Sequence, residues 1–205
     1  MEQFDTSGSW YTERLRSRPE AAWKRIMPNP YRWNLRHLGL GRVLDVGCGV
    51  GRCLGFLDGN GVGVDHNPSS VAECQARGFE AFTPEEFGVR RFPLFDSLLL
   101  SHVLEHLDAD SGEGLLRSYL PYVRPGARVV LITPQEAGQR SDPTHVRFVD
   151  AEAARTLLTT TGASELRVRS FPFPRPVGRI FVHNETIASG TLAGTADRTD
   201  HRHRR

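Results

Sequence analysis

Residues 42–65 constrain the fold of this chain more than any other stretch. An apolar run, Val43 to Val46, leads into a turn with glycine at every second position, and an apolar segment of helix length follows. A second apolar run, Val62 to Val64, then ends in Asp65. This pattern predicts two parallel strands joined by one helix, with a right-handed crossover and a ligand site beyond the carboxyl ends of the strands.

The spacing of the turn glycines indicates which kind of ligand the unit holds. These glycines are Gly47, Gly49 and Gly51. A dinucleotide fingerprint, G-x-G-x-x-G, would need its third glycine where this chain has Arg52. Asp45, inside the first strand, would repel a diphosphate but could help to fix an ammonium group. Asp65 is placed to accept both hydroxyls of a ribose, so the unit is typical of a nucleoside-cofactor site.

With these residues in view, the segment from Val43 to Arg52 resembles the first motif of class I S-adenosylmethionine-dependent methyltransferases. Asp65 matches the ribose-binding acid of that family. The resemblance covers roughly residues 40–188 and is close to small-molecule enzymes with an H-V-L-E-H segment after the fourth strand, here His102 to His106. It implies an α/β fold with a doubly wound, seven-stranded, mostly parallel sheet, the Rossmann-like methyltransferase fold.

The same resemblance divides the chain into three parts. Residues 1–40 are expected to form an N-terminal helical cover, residues 41–190 the methyltransferase domain, and residues 191–205 a disordered tail. Two antiparallel strands, Ser164 to Phe171 and Arg179 to Ala188, are expected to close the sheet. The tail is rich in Gly, Thr, Ala, Arg and His, a composition that favours disorder.

The resemblance also implies a set of cofactor-binding residues around the ends of the first four strands. These residues are Asp45, Gly47, Cys48, Gly49, Gly51, Asp65, His66, Phe82, Thr83, Ser101 and His102. Thr83 has a second interpretation, because Glu86 stands three residues later and the pair would form a capping box at a helix start.

Three histidines and a glutamate are expected to meet where the methyl group would be presented. His102, Glu105 and His106 have the spacing that places side chains on one face of a helical turn, and His145 follows the neighbouring fifth strand. In one interpretation a histidine is the general base, since a neutral imidazole can accept the proton of an attacking hydroxyl. His145 is the first candidate and His106 the second.

In another interpretation the same four residues, His102, Glu105, His106 and His145, bind a divalent metal. They are similar to the E-x-x-E-H plus distal His site of small-RNA 2′-O-methyltransferases and to the related motif of ubiquinone-pathway O-methyltransferases. This chain departs from the pattern because His102 stands where the first Glu would be. A set richer in imidazole suits Zn²⁺, Mn²⁺ or Fe²⁺ better than Mg²⁺. A third interpretation gives Glu105 a structural role in bracing a loop.

Composition excludes several other classes of function. The net charge is +2, and no aromatic residues alternate with basic ones, so nothing favours a nucleic-acid partner. No apolar run has the length of a membrane span or a signal peptide, and the three cysteines lack a paired spacing, so we expect a cytoplasmic protein with a small-molecule acceptor. The sequence leaves the oligomeric state open.

The predicted activity is therefore methyl transfer to a small molecule, and the availability of histidines as bases favours an oxygen as the acceptor atom. N-methylation needs little more than aromatic walls, which Trp10, Tyr11 and Phe173 could supply. Two other classes remain open: a protein that binds S-adenosylmethionine without turnover, and a nicotinamide-dependent oxidoreductase. The glycine spacing and the lack of a Tyr-x-x-x-Lys pair disfavour the oxidoreductase.

Overall fold

A mixed sheet of seven strands forms the centre of the computed structural model, which describes residues 12–13 and 29–194. In chain order the strands are β1 (Val43–Val46), β2 (Gly61–Val64), β3 (Ala81–Phe82), β4 (Phe95–Ser101), β5 (Val123–Pro134), β6 (Ala163–Phe171) and β7 (Glu185–Leu192). Across the sheet their order is β3-β2-β1-β4-β5-β7-β6. The first five strands are parallel, and β7 is antiparallel to both β5 and β6. The predicted fold is confirmed.

The helices of the described residues connect these strands. They are α1 (Pro30–His37), α2 (Arg52–Phe56), α3 (Pro68–Ala76), α4 (Pro84–Gly88), α5 (Ala109–Tyr119), α6 (Glu136–Arg140) and α7 (Ala151–Thr160). The side chains of Asn29, Asn67 and Asp150 accept hydrogen bonds from backbone N–H groups in the first turns of α1, α3 and α7. These caps satisfy donors that the helices themselves leave unpaired and fix where each helix begins.

Helices cover both faces of the sheet, as the run of leucines in β4 predicts. Leu98 and Leu100 pack on one face with Leu116 of α5 and Leu158 of α7. Leu99 points to the other face, which is covered by α1, α2 and α3 through Leu35, Leu54 and Val71. Successive side chains of a strand alternate between faces, so a strand buried on both sides must be apolar throughout.

The last strand differs from its prediction. β7 begins at Glu185 rather than at Arg179, and a 3-10 helix, Arg175–Arg179, occupies part of the predicted strand. Asn184 fixes this connection, because its side-chain amide accepts from the N–H of Phe173 and donates to the Phe173 carbonyl. The polar groups of the segment are thus satisfied within the loop instead of by a neighbouring strand. The prediction that the strand starts at Arg179 was wrong.

The predicted N-terminal cover and C-terminal tail include residues that lie outside the described part of the chain. Of the N-terminal helical cover, α1 is described, and it packs on α2 beside the carboxyl edge of the sheet. Trp10, Tyr11 and residues 14–28 lie outside the described residues, as do residues 195–205 of the tail. At the C-terminal end β7 continues to Leu192, so residues 191 and 192 belong to the sheet.

Candidate active site

The glycine turn follows β1 directly and leads into α2. Gly47, Gly49 and Gly51 have φ angles of 76°, 53° and 79°, a region that glycine adopts without strain. A Cβ atom at Gly51 would lie 2.6 Å from Sγ of Cys74, and one at Gly47 would collide with the Val103 side chain. Space as well as backbone conformation therefore requires glycine at both positions.

Asp65, directly after β2, is hydrogen-bonded to this turn. Its Oδ2 accepts from the backbone N–H of Gly49 at 2.8 Å, and its Oδ1 accepts from that of Asn67 at 2.9 Å. His66 is exposed, with Nδ1 3.7 Å from Asp65 Oδ1. A carboxylate has about four lone-pair positions, so Asp65 can accept further hydrogen bonds from a ligand.

Asp45 is a buried acid in the middle of β1, and its Oδ2 has no hydrogen-bond partner among the residues that the structure describes. Burial and the negative charge of Asp65 raise the pKa of Asp45, and the positive charge of Arg52 lowers it. The net effect is a pKa of about 7. An unpaired buried carboxyl oxygen costs free energy, which a positively charged donor would offset. This chemistry fits a site for the ammonium end of S-adenosylmethionine.

Two other predicted cofactor residues, Cys48 and Phe82, already contact other parts of the protein. The Cys48 side chain is buried in the core cluster on the α1–α3 face of the sheet. The ring of Phe82 lies 5.8 Å from that of Phe92, with the guanidinium of Arg90 4.2 Å from its centre. Their roles toward a ligand stay predictions.

Thr83 forms the capping box of α4 that the sequence also predicts. Its Oγ1 accepts from the N–H of Glu86, and the Glu86 carboxylate accepts from the N–H of Thr83. The second interpretation of Thr83, as the start of a helix, is therefore confirmed. If Thr83 also contacts the adenine, it must do so while its hydroxyl and its N–H take part in this capping box.

His102 does not share a helical face with Glu105 and His106. It has a φ of 59°, and the turn that follows is a short 3-10 helix, Leu104–His106. Its Nδ1 lies 3.1 Å from Oε1 of Glu105, and its Nε2 lies 2.8 Å from Oε1 of Glu185. Burial alone would lower the pKa of His102, but the hydrogen bonds and charges of the two glutamates raise it to about 9.

Glu105, His106 and His145 come together as the sequence predicts, and their possible ligand atoms lie within 4.8 Å of one another. Glu105 is fully buried, and within the described ranges 12–13 and 29–194 its Oε2 has no hydrogen-bond partner. Nδ1 of His106 lies 3.1 Å from the Thr144 carbonyl oxygen, and Nδ1 of His145 lies 3.2 Å from that of Gln139. Burial lowers the pKa of His145, so its neutral form is favoured.

A narrow pocket at the carboxyl edge of the sheet contains residues that the sequence analysis missed. Its polar lining comprises Tyr31, Asn34, Arg52, Ser101 and Glu185. Ser101 was predicted as a site residue. Glu185 was not, because the strand β7 was predicted to begin six residues too early, at Arg179. His106 and His145 are not among the lining residues, and His102 connects the two regions by binding both Glu105 and Glu185.

The family of the chain follows from its sequence as a whole. A family model described as a methyltransferase domain matches residues 11–182, which include the glycine turn, Asp65 and all four residues of the histidine and glutamate cluster. The chain belongs to this methyltransferase family. The match does not favour the nicotinamide-dependent oxidoreductase. No curated protein matches the methyltransferase in sequence.

Solved structures show that the methyltransferase has the class I fold. A SAM-dependent methyltransferase from Archaeoglobus fulgidus is 18% identical, with 89% of this chain and 98% of that chain covered and a TM-score of 0.66. The magnesium protoporphyrin IX methyltransferase of Synechocystis, solved with bound SAH, is 13% identical, with coverages of 92% and 96% and a TM-score of 0.64. The N-methyltransferase NodS of Bradyrhizobium japonicum, solved with SAH, is 19% identical, with coverages of 89% and 97% and a TM-score of 0.62.

Among the described helices of the methyltransferase, none combines the length and the apolar character that a bilayer span requires.

Proposed function

We propose that this methyltransferase uses S-adenosylmethionine to methylate an oxygen of a small-molecule acceptor. The observation that carries the proposal is the hydrogen bond between Asp65 and the glycine turn, which holds the Asp65 carboxylate beside a backbone that a ligand can approach closely. In this proposal Asp65 binds the ribose, and His66, Phe82 and Thr83 border the adenine. The turn holds the methionine end.

When bound, the cofactor supplies a methyl group on a sulfonium, which makes the transfer favourable without further activation. The protein therefore has to align the acceptor oxygen with the methyl group, and such alignment can lower the barrier by about 7 to 11 kcal/mol.

A base must take the acceptor proton as the new oxygen–carbon bond forms. We assign this role to His145, with His106 as the second candidate. Burial lowers the pKa of His145, and its Nδ1 faces the Gln139 carbonyl, an arrangement that puts the N–H there and leaves Nε2 to accept a proton. Nε2 lies 4.0 Å from Glu105 Oε1, a carboxylate that can stabilise the imidazolium once it forms.

A second candidate mechanism uses a divalent metal, and one observation favours it. Both His106 and His145 face a backbone carbonyl with Nδ1, which is the orientation that metal-binding histidines usually have. With the unpaired Oε2 of Glu105 they would hold the ion, which would orient the acceptor oxygen. His102 is not part of this group, because both of its nitrogens face glutamates.

One assay tests the acceptor and the metal together. The protein is stripped of metal and incubated with methyl-labelled S-adenosylmethionine and a panel of small hydroxyl compounds and amines. We expect label in a hydroxyl compound, and no loss of activity when EDTA is present. Transfer to amines alone would contradict O-methylation. Activity that needs added Zn²⁺, Mn²⁺ or Fe²⁺ would replace the base mechanism by the metal mechanism.

A further inference from the structure

Large apolar side chains are exposed at the carboxyl edge of the sheet, on residues 141–149 and 172–184. In the part of the chain that the structure describes, these two segments hold five of the eight large apolar residues that are exposed, namely Val146, Phe148, Phe173, Ile180 and Val182. Single exposed apolar residues are ordinary, but a concentration of them at one edge marks a surface that binds a ligand or a partner.

The connection between β6 and β7, residues 172–184, packs against α6. The Arg140 guanidinium of α6 donates to the Arg179 carbonyl at 2.9 Å. A Cβ atom on Gly138 of the same helix would lie 2.7 Å from the carbonyl oxygen of Val182, so the two backbones are in close contact. α6 and this connection therefore form one surface.

This surface adjoins both parts of the candidate active site. The Gln139 carbonyl oxygen of α6 lies 3.2 Å from Nδ1 of His145, the base that we assign. The hydroxyl of Tyr31 donates to the His183 carbonyl at 2.6 Å, and both Tyr31 and Glu185 line the pocket beside the glycine turn. The exposed apolar residues thus border the region between the proposed base and the proposed cofactor site.

Two arginines of this surface have their charges available for a ligand. Arg175 is paired with Glu136 through two hydrogen bonds of 2.6 Å, so these two charges cancel. Arg140 and Arg179 are exposed, and within residues 12–13 and 29–194 neither forms an ion pair with a carboxylate. A guanidinium binds a carboxylate or a similar planar anion through parallel hydrogen bonds. The surface is therefore complementary to an apolar molecule that carries a negative charge.

The number of charges favours a small molecule over a membrane. Surfaces that bind anionic lipid bilayers usually present clusters of about four to eight basic residues. Here Arg140 and Arg179 are the unpaired guanidinium groups of the described surface, beside a few apolar side chains.

We propose that the methyl acceptor has an apolar body and one negatively charged group, and that this surface binds it. The inference rests on the proposed methyl transfer to a small molecule. Ile180, which is 83% exposed, and Val182 contact the apolar body, and Arg179 pairs with the negative group. The hydroxyl that receives the methyl group then lies on the side of α6 and His145.

Three hydroxyl compounds test this inference by calorimetry in the presence of saturating S-adenosylhomocysteine. Hydroxynaphthoate and hydroxynaphthalenesulfonate combine an aromatic body with a negative group, and naphthol has the same body without the charge. We expect the wild type to bind both anions more tightly than naphthol. Arg179→Gln should weaken the binding of both anions about 2- to 5-fold, the range of one exposed ion pair, and leave naphthol binding unchanged. Ile180→Ser should weaken the binding of all three compounds about 3- to 10-fold.

Two matched controls remove the same side-chain types elsewhere. Arg77 is exposed and paired with Glu73 on α3, and Val89 is exposed directly after α4. Arg77→Gln and Val89→Ser should leave the three affinities unchanged. Because Arg179 and Ile180 are exposed, their substitution should not impair folding or S-adenosylhomocysteine binding, which thermal unfolding and calorimetry can verify.

The failures of the inference and of the proposed function are distinguishable. A wild type that does not bind S-adenosylhomocysteine would overturn the proposed function. A wild type that binds S-adenosylhomocysteine but binds neither anion more tightly than naphthol would overturn the inference alone, as would equal losses in Arg179→Gln and Arg77→Gln. A dimer that Ile180→Ser dissociates, or binding to phosphatidylglycerol vesicles that Ile180→Ser abolishes, would assign the surface to a second copy or to a membrane and contradict the inference.

Discussion

Asp65→Ala is expected to weaken S-adenosylhomocysteine binding about 100- to 10,000-fold, because two hydrogen bonds from ribose hydroxyls to a charged acceptor are lost at about 1.5 to 3 kcal/mol each. The variant also loses the bond from the Gly49 N–H, so the glycine turn is no longer held against the end of β2. Isothermal titration calorimetry of the wild type and the variant measures the change.

Asp110→Ala is the matched control for this prediction. Asp110 is an exposed acid in the first turn of α5, and its removal should leave the affinity within the error of the wild-type value. An Asp65→Ala variant that keeps wild-type affinity would show that the ribose is bound elsewhere. Comparable losses in both variants would point to a general effect of net charge.

His145→Ala is expected to lower kcat for methyl transfer about 100- to 10,000-fold, the usual contribution of a positioned general base. The affinity for S-adenosylhomocysteine should stay unchanged, because His145 is not among the residues that line the pocket. The loss should shrink as the pH rises, since hydroxide and a more ionised acceptor then replace the missing base. Initial rates with the labelled methyl donor at several pH values measure these effects.

His37→Ala serves as the control for His145. His37 lies in the last turn of α1, where its ring stacks on Trp33 at 4.0 Å, and its removal should leave kcat unchanged. Wild-type kcat in His145→Ala would exclude His145 as the base and make His106 the next candidate. Equal losses of kcat and of nucleoside affinity would instead indicate a structural role for His145.

Local signals in the sequence were sufficient to predict the geometry of the part of the site that we assign to the nucleoside. The turn between β1 and α2 needs positive φ at Gly47 and Gly51, and Asp65 directly follows a strand whose end lies beside that turn. These features depend on neighbours close in sequence, so spacing alone reveals them. The caps Asn67 and Asp150 are predictable for the same reason.

The position of Glu185 in the lining of the pocket could not be predicted in this way. Glu185 reaches the site because β7 pairs with β5 in a register that sets Glu185 opposite Pro134. That register depends on the connection before the strand, where Asn184 binds the loop backbone and Gln135 from a distant segment. The sequence does contain one signal, which is an acid at the start of a strand whose other residues are apolar or small. To place this acid at the site, the start of the strand had to be known correctly.

His102 shows a second limit of reasoning from spacing. A separation of three and four residues predicts a common face with Glu105 and His106 only if the segment is helical. Here the N–H of His102 bonds to the Ile132 carbonyl, which extends the pairing of β4 with β5 by one residue before the chain turns. The ring consequently faces Glu185 on β7, and the remaining three residues of the cluster form a group without it.

We propose above that the glycine turn and Asp65 form a site for a nucleoside with one sulfur-linked amino-acid group and no diphosphate. The most direct measurement is calorimetric titration of the purified, metal-free wild-type protein with S-adenosylhomocysteine and, separately, with NADH. We expect saturable one-to-one binding of S-adenosylhomocysteine and no heat of binding with NADH. Binding of NADH without binding of S-adenosylhomocysteine would contradict the assignment of the turn and, with it, the role proposed for His145.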